Sequence, residues 1–233
     1  MKILAVDSTA TAASVAITEN GELLAEYTVL NGNTHSETLL PMVESALRVF
    51  GLSVAEIDIF ALSEGPGSFT GVRIGAATVK GLAFGTEKPC VGVSTLEALA
   101  YNLVGYRGLI CPVMNARRSQ VYTALFRSDG ERLERLTEDS AMAISELDAL
   151  LAEYGEGVRF CGDGYDITLP ALKLCESIPT PARQRMQSAY SVAVCAMRKY
   201  SEGGAVTDAE LVATYLRPSQ AERELAEKNK NKQ

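Results

Sequence analysis

The feature that most constrains the fold is an internal repeat in the order of apolar segments and turns. An apolar run at residues 3–6 precedes an alternating run at 12–18 and then Asn20-Gly21, a dipeptide that favours two-residue hairpins. The same order returns in the second half of the 233-residue chain, where Asp129-Gly130 supplies the hairpin signal. We therefore predict an α/β fold built from a duplicated βββαβα unit, with two lobes of mixed sheet flanked by helices. A single irregular α/β domain is the alternative.

Hydrophobic periodicity gives the expected elements of each lobe. In the first half it predicts strands at 3–6, 12–18, 22–30, 57–63 and 90–93, and helices at 36–50, 69–84 and 95–104. In the second half it predicts strands at 109–114, 119–127, 131–137 and 158–161, and helices at 144–154, 166–174 and 188–201. The expected domains are an N-terminal lobe at 1–104, a C-terminal lobe at 105–219 and a polar tail at 220–233.

Charge and histidine content exclude several function classes. Lys and Arg number 22 against 29 Asp and Glu, so the net charge is −7, and such a surface is poorly suited to grip nucleic acid by itself. The chain contains one histidine, which excludes any site that needs two imidazoles and with it most hydrolytic zinc chemistry.

Cysteine usage and apolar runs indicate the compartment. The five cysteines include no C-x-x-C pair, and an odd number leaves one unpaired in any disulfide scheme, so we expect buried thiols. Asp7 interrupts the apolar start, which is unlike a signal peptide, and no run approaches the 18 apolar residues of a membrane span. We expect a cytoplasmic protein with reduced thiols and no membrane segment.

The most distinctive segment is rich in glycine and joins a predicted strand to a predicted helix at residues 64–75. Ser68 is placed as its N-cap. The segment lacks the G-K-[ST] ending of a P-loop and the G-x-G-x-x-G spacing, so it is a weak phosphate-binding signal. Gly71 and Gly75 share one helix face, and each costs about 0.5–1 kcal/mol relative to alanine. Close approach of another backbone to that face would offset this cost.

The first predicted helix carries two adjacent apolar stripes, whereas an ordinary surface helix carries one. Leu40, Val43, Leu47 and Phe50 form the stripe expected to face the core, and Leu39, Met42, Ala46 and Val49 form the second. The second stripe predicts cover by a partner or by the chain's own lobe. The predicted partner surface comprises His35, Leu39, Met42, Val43, Ala46, Gly71, Val72, Gly75, Thr78 and Val79.

Two smaller features are ambiguous. Thr34 and Glu37 fit a capping box at the start of the first helix. His35 lies between them, and no cysteine or second histidine lies at ligand spacing from it, which argues against a metal or catalytic role. Arg117-Arg118 follows a strand and is either an anion site or a solvated charge pair.

Short motifs along nearly the whole chain match one family. They are Asp7-Ser8-Thr9, His35-Ser36-Glu37 with Leu39-Leu40-Pro41, residues 65–75 with Lys80-Gly81-Leu82-Ala83, Ala116-Arg117-Arg118 with Val121-Tyr122, and Tyr215-Leu216-Arg217. Together they resemble the bacterial TsaB family, the non-catalytic paralogue in the machinery that makes threonylcarbamoyladenosine in transfer RNA. The resemblance implies the duplicated actin-like/sugar-kinase (ASKHA) fold.

The resemblance also implies an absence. In TsaD, the catalytic sibling, the segment similar to residues 92–99 carries two metal-binding histidines, which would align with Thr95 and Leu99 here. A spacing of four residues would put both imidazoles on one helix face, as a metal needs. Thr95 and Leu99 cannot supply that pair.

The expected phosphate loops are changed as well. Actin-like ATPases have glycine-containing loops after the first strand of each lobe, and the corresponding residues 7–10 and 115–118 contain no glycine. Asp7 stands where such ATPases put a catalytic or metal-orienting carboxylate, although a strand-end aspartate that caps the adjacent turn fits the sequence equally well. Met114-Asn115 replaces the usual Leu-Asp of the family.

The resemblance therefore implies a two-lobed scaffold with no catalysis, cofactor or metal of its own. Its expected partners are a TsaD-like catalytic paralogue and a TsaE-like ATPase, with a two-fold homodimer when it is alone. Transfer RNA is expected to be held through those partners, and direct binding assisted by Arg117-Arg118 is a lesser alternative. The rival functions are an ATP-dependent, kinase-like phosphotransferase that uses Asp7 and a metallopeptidase-like enzyme, for which His35 alone gives no protein-only metal site.

Overall fold

The computed structural model describes residues 1–30, 32 and 34–217. The predicted polar tail at 220–233 lies outside these residues. Across the part of the chain that is described, no helix has the length and apolar character needed to cross a membrane.

The first lobe is built on a five-stranded sheet. Its strands are β1 (Lys2–Asp7), β2 (Ala13–Glu19), β3 (Glu22–Val29), β4 (Ile59–Gly65) and β5 (Cys90–Ser94), in the order β3-β2-β1-β4-β5. β2 is antiparallel to β1 and β3, whereas β1, β4 and β5 are parallel. The predicted hairpin at Asn20-Gly21 is confirmed, and both residues have positive φ angles of 53° and 87°, as a type I′ turn requires.

The second lobe repeats this sheet and adds a hairpin to it. Its strands are β6 (Gly108–Arg117), β7 (Gln120–Thr123), β8 (Phe126–Ser128), β9 (Leu133–Arg135), β10 (Ser140–Ala143), β11 (Val158–Cys161) and β12 (Ser177–Ile178). The order β10-β7-β6-β11-β12 reproduces that of the first sheet, with the same parallel and antiparallel neighbours. The predicted duplication is confirmed.

The second hairpin signal is not the counterpart of the first. Asp129-Gly130 does form a turn, but it joins β8 to β9, a pair attached to the start of β6. The true counterpart of the Asn20-Gly21 hairpin is the connection from β7 to β10. The predicted strand at 119–127 therefore divides into β7 and β8, and the predicted return at 131–137 is reduced to the short β9.

Within residues 1–217, apart from the undescribed 31 and 33, six α-helices accompany the two sheets. They are α1 (His35–Val49), α2 (Phe69–Ala83), α3 (Thr95–Tyr101), α4 (Ile144–Ala152), α5 (Tyr165–Thr168) and α6 (Ala189–Ser201). α1 and α2 pack on one face of the first sheet and α6 packs on the other, with α3 beside it. The predicted helix at 166–174 is confined to α5 and a following 3₁₀ turn.

Helix α6 follows the second sheet in the chain but packs on the first. Its buried face, which includes Ala189, Val192 and Ala196, meets Ile3 and Val91 of the first sheet. A division at residue 104 therefore assigns α6 to a lobe whose sheet it does not cover. The boundary between the lobes remains a prediction from the sequence order.

An ionic cluster ties the lobes together and so fixes the cleft between them. Arg135 of β9 lies 3.6 Å from the Glu97 carboxylate of α3, which also pairs with Arg198 of α6. Beside it, the Ser94 hydroxyl donates to Asp139 at 2.5 Å, and Arg135 binds the same carboxylate. The side chains of Glu97, Arg135 and Asp139 are at least half-buried, whereas that of Arg198 is exposed. Water therefore screens the buried pairs less than it screens surface pairs.

The core face of α1 is rotated from the predicted one. Leu39, Met42, Val43, Ala46 and Leu47 are buried, and they form a single broad stripe between the sheet and α2. By contrast, the predicted core residues Leu40 and Phe50 are exposed, as is Val49. The predicted capping box is wrong, because the Thr34 side chain makes no capping bond and its hydroxyl pairs with that of Ser36 instead.

The glycines at the start of α2 let this helix lie directly on the turn between β1 and β2. A Cβ added at Gly71 would collide with the Ser8 carbonyl oxygen, and one at Gly75 would lie 2.5 Å from the Ser8 hydroxyl oxygen. By contrast, Gly81 of the same helix faces open space among the described residues. The predicted close approach of backbone is therefore confirmed at Gly71, whereas at Gly75 the close atoms are side-chain atoms of Ser8 and Leu62, and in both cases they belong to the chain itself.

In the second lobe, the buried Asp148 of α4 anchors a loop. Its carboxylate accepts the backbone N–H groups of Lys173, Leu174 and Cys175 at 2.7–3.1 Å. Burial by itself raises the pKa of Asp148, but these three donors outweigh it and hold the pKa below its usual value. The ionised carboxylate is therefore the form that stabilises the fold.

Gly71→Ala tests the close approach of α2 to the β1–β2 turn. We expect a loss of about 1–3 kcal/mol in the free energy of unfolding, because the obstructing atom is backbone and cannot swing aside. The matched control is Gly81→Ala, which should stabilise by about 0.5–1 kcal/mol because alanine is the better helix former. Urea unfolding measures both, and equal effects of the two variants would contradict the packing described.

Asp148→Asn tests the anchored loop. One amide oxygen cannot replace two carboxylate oxygens for three donors, so we expect a loss of about 1–3 kcal/mol at neutral pH. Because the folded-state pKa lies below the unfolded value, this contribution is present above the unfolded pKa and is lost as the pH falls through the folded pKa. The difference between wild type and variant should therefore shrink in acid. Urea unfolding at each pH measures this difference in the free energy of unfolding. A difference that stays constant from neutral pH to acid would rule out the carboxylate as its source.

Candidate functional site: the interlobe cleft

A cleft of about 640 Å³ lies between the lobes. Loops from both lobes and the segment that ends at Arg217 line it. We call this the interlobe cleft, and its lining residues are Thr9, Ala10, Thr11, Pro66, Gly67, Ser68, Phe69, Thr70, Met114, Asn115, Ala116, Arg117, Tyr122, Asp163, Thr214, Tyr215, Leu216 and Arg217. Parts of both predicted phosphate-loop positions, residues 7–10 and residues 115–118, lie in this lining.

On the first-lobe side, Asp7 lies behind the lining. Its side chain is buried, and it accepts the Thr9 backbone N–H at 2.9 Å and the Thr9 hydroxyl at 2.7 Å. Burial raises the pKa of Asp7, and the bonds from Thr9 oppose that rise. The prediction that this aspartate caps the adjacent turn is confirmed.

The glycine-rich segment closes against that same turn. Ser68 N–H donates to the Thr9 carbonyl oxygen at 2.6 Å, and the Ser68 side chain accepts Gly71 N–H, which confirms Ser68 as the N-cap. A Cβ at Gly67 would also collide with Thr9. These amides, which a phosphate loop would present to a ligand, are already engaged within the chain. The glycine-rich segment therefore serves to pack α2 against the β1–β2 turn.

On the second-lobe side, Asp163 faces the cleft. Its carboxylate accepts the Asn115 backbone N–H at 3.0 Å, and burial raises the pKa of Asp163, with the nearby Asp7 raising it further. The preceding Gly162 has a φ of +99°, and a Cβ there would collide with the Val113 carbonyl oxygen. Sequence reasoning missed Asp163, although Cys161-Gly162-Asp163-Gly164 directly after a strand was an available signal.

Arg117 and Arg217 line the cleft, and two further arginines lie next to lining residues: Arg73 donates to the Tyr215 hydroxyl and Arg118 follows Arg117 in the chain. We call these four the arginine strip. Arg217 Nη1 donates to the Ala116 carbonyl oxygen at 3.2 Å, which brings it beside Arg117. Among the described residues, no carboxylate lies within 4 Å of a charged nitrogen of any of the four.

The turn that carries two of these arginines has an unusual backbone. Arg117, Arg118 and Ser119 all have positive φ angles, of 63°, 55° and 55°. Residues with side chains seldom adopt this left-handed region, and three in succession are rarer still. All three are exposed, so the turn projects its arginine side chains into solvent at the edge of the cleft.

The structure places most of the predicted partner surface inside the first lobe. Eight of the ten residues are buried: Leu39, Met42, Val43, Ala46, Gly71, Val72, Gly75 and Val79. They pack against the first sheet or the β1–β2 turn and cannot meet a partner while the lobe stays folded, so this prediction is corrected. Thr78 and His35 are half-buried, and His35 Nε2 donates to the Ala10 carbonyl oxygen at 2.7 Å.

The residues aligned with metal-binding histidines lie within packed structure. The Thr95 hydroxyl accepts the Ser63 hydroxyl at 3.0 Å in a fully buried position. Leu99 is buried in the cluster that joins α3 to the second sheet. No group of three or more histidine, cysteine or acidic side chains suited to a metal occurs among the described residues. All five cysteines, which fall within the described part, are free thiols.

Comparison with known proteins agrees with this geometry. The family model of TsaD, tRNA N6-adenosine threonylcarbamoyltransferase, matches residues 29–199. The tRNA threonylcarbamoyladenosine biosynthesis protein TsaB of Bacillus subtilis is 35% identical over 70% of this chain and 71% of its own length. TsaB of Escherichia coli is 37% identical over 63% of this chain and 64% of its own length.

A solved structure extends the likeness to the whole fold. YeaZ from Pseudomonas aeruginosa matches with a TM-score of 0.76 and 25% identity, over 92% of this chain and 99% of that one. The duplicated sheets are those of the actin-like (ASKHA) fold. The family model covers most of the chain. The two curated relatives described above, which are 35% and 37% identical to the chain, both carry the TsaB name. The chain therefore belongs to the TsaB family.

Proposed function

We propose that this chain is a non-catalytic subunit that pairs with a TsaD-like catalytic paralogue, which transfers threonylcarbamoyl to the adenosine next to the anticodon of tRNA. Family membership supports a role in tRNA threonylcarbamoyladenosine biosynthesis. The observation that carries the non-catalytic assignment is the burial of Thr95 and Leu99, which occupy the positions of the paralogue's metal ligands.

Replacing those ligands changes what α3 can do. An imidazole pair at positions 95 and 99 would have to face a metal from one side of the helix. Here Leu99 is packed in the core between the lobes, and its Cδ1 lies within contact of Gly162. The face that would hold a metal in the paralogue therefore serves the packing of one lobe on the other.

For the paralogue, the outward faces of α1 and α2 provide the proposed docking surface. Leu40 of α1 is 48% exposed, and Ala77 and Gly81 of α2 are exposed one helical turn apart. The cost of a glycine inside a helix is explained at Gly71 and Gly75 by Ser8, but no described atom explains it at Gly81. Two small exposed residues four apart let a helix of the paralogue approach closely, as Gly71 and Gly75 do within the chain.

The remaining partners belong to the same proposal. A TsaE-like ATPase joins the paired subunits, and the surface on α1 and α2 forms a two-fold homodimer when the paralogue is absent. Transfer RNA is held mainly through the partners, because the chain's net charge is −7. The location is cytoplasmic, with which five free thiols are consistent.

Ala77→Arg tests the docking surface. A long charged side chain in a close helix contact should weaken association with the TsaD-like paralogue by tenfold or more, equivalent to about 1.4 kcal/mol or more. Sedimentation velocity of the mixed proteins measures this, and the rate of tRNA modification by the reconstituted complex should fall with it. The control is Ala149→Arg, an equally exposed alanine on α4 of the second lobe. Equal association of both variants with the paralogue would remove α2 from the interface.

A second candidate, an ATP-dependent phosphotransferase, is favoured by one observation: the cleft between the lobes carries the acidic Asp163 near Asp7. The engaged amides of Ser68 and Gly71 and the turn-capping role of Asp7 argue against it.

Calorimetry of the isolated chain with Mg-ATP separates the two functions. We expect no binding in the micromolar range, because the positions that would wrap the phosphates contain no glycine and their neighbouring amides are already bonded within the chain. Micromolar binding with measurable turnover of ATP would favour the phosphotransferase over the scaffold.

A further inference from the structure

We propose that the interlobe cleft and the arginine strip bind unpaired nucleotides of RNA directly, with phosphates on the arginines and bases on an aromatic side chain of the lining. The inference rests on the proposed function only in that tRNA is then the RNA presented to the cleft. It adds a local contact to an RNA that is held mainly by partners.

Charge is the first support. The chain has a net charge of −7, yet the arginine strip concentrates four cations whose guanidinium groups have no carboxylate within 4 Å among the described residues. Unpaired arginines present planar forks of N–H donors that match phosphate oxygens. Such a strip gives an otherwise acidic protein a local surface that suits phosphate.

Geometry is the second support, because the strip spans the mouth of the cleft from lobe to lobe. On the first lobe, Arg73 Nε donates to the Tyr215 hydroxyl at 3.1 Å. Two residues further along, Arg217 reaches the Ala116 carbonyl oxygen of the second lobe, next to Arg117. These two bonds place arginines on both sides of the cleft, where successive phosphates of one strand could meet them.

Aromatic side chains lie beside these arginines. The rings of Phe69 and Tyr215 are 4.6 Å apart, and the Arg73 guanidinium lies 3.9 Å above the Phe69 ring. Tyr122 lines the cleft from the second lobe and is half-buried. Phe69 and Tyr215 are already stacked on each other and on Arg73, so among the described lining residues Tyr122 is the ring with no stacked partner. Bases of unpaired nucleotides stack on such a ring, whereas paired bases in a duplex are not available to it. Single-stranded RNA fits both the charges and this ring.

Asp163 is the one acidic side chain in the cleft lining, and it opposes phosphate. Its carboxylate is held by Asn115 N–H on the second-lobe wall. It therefore keeps phosphate toward the arginine strip and leaves the interior of the cleft to the uncharged base. A carboxylate also accepts the amino or hydroxyl protons that bases and riboses offer.

The left-handed turn at Arg117–Ser119 is the third support. Residues with side chains seldom adopt this backbone conformation, and strained backbone of this kind concentrates at ligand-binding positions. The turn carries two exposed arginines to the edge of the cleft, one of which lines it.

The test measures binding of the full-length chain to a fluorescein-labelled tRNA anticodon stem-loop by anisotropy, over a range of salt concentrations. The double variant Arg117→Asn/Arg118→Asn removes two charges, and asparagine tolerates the left-handed backbone. We expect binding roughly tenfold weaker, with the salt slope reduced by about 1.4, that is, 0.7 for each lost phosphate contact on a single strand.

The matched control is Arg107→Asn/Arg132→Asn. These exposed arginines flank the Asp129-Gly130 turn, do not line the cleft, and change the net charge by the same amount. The control should bind RNA like wild type, and circular dichroism should show that both double variants are folded. Equal RNA affinity of wild type and the cleft variant, or an equal loss in both variants, would overturn the proposal.

Competitors separate the sources of the phosphate. The labelled RNA should stay bound in millimolar ATP and in excess blunt RNA duplex, whereas unlabelled stem-loop should displace it. Complete displacement by ATP would identify a free-nucleotide site, and displacement by the duplex would identify non-specific charge binding, so either result overturns the proposal. The cleft variant should still pair with the paralogue, and Ala77→Arg should still bind RNA, so a failure here is distinct from a failure of the proposed function.

Discussion

The contact on which the rest of the structure depends is the direct packing of α2 on the turn between β1 and β2. Gly67 and Gly71 leave room for the carbonyl oxygens of Thr9 and Ser8, and Ser68 N–H is bonded to one of them. Because side chains are absent at these glycines, helix and turn approach to backbone contact. This single contact determines the distance between α2 and the first sheet. It also determines the position of the glycine-rich segment in the wall of the interlobe cleft.

The same contact decides the chemistry of the cleft. In a phosphate-binding loop, backbone N–H groups face the ligand and are free to donate. Here the turn presents carbonyl oxygens to the glycine-rich segment, and Asp7 is used to hold the turn in shape. The Ser68 and Gly71 amides are therefore not available to an anion, and the positive charge in the described lining of the cleft lies on Arg117 and Arg217.

Periodicity and turn chemistry predicted the duplicated sheets, because strand alternation and an Asn-Gly hairpin are local signals. Because these signals are local, they also explain which sequence predictions were wrong. Asp129-Gly130 forms a genuine turn, but which strands it joins depends on pairing across the lobe, which no short window contains. Likewise, Leu39 and Leu40 are equally apolar, and only the position of α1 on the sheet decides that the first is buried and the second exposed. The site was predicted less completely: the Gly162-Asp163-Gly164 turn could be seen in the sequence, but its position opposite Asn115 depends on the pairing of β11 with β6.

Helices α3 and α2 differ in which residues they bury and which they expose. Leu99 of α3 faces inward and joins the lobes, at the place where a catalytic paralogue needs a metal ligand that faces a substrate. Ala77 and Gly81 of α2 face outward, although small residues there contribute nothing to the chain's own core. The inward face of α3 therefore contributes to packing between the lobes, whereas the outward face of α2 contributes nothing to the described core. The cleft between the lobes remains accessible beside this packed region, and among the described residues the arginines that line it, Arg117 and Arg217, have no carboxylate within 4 Å.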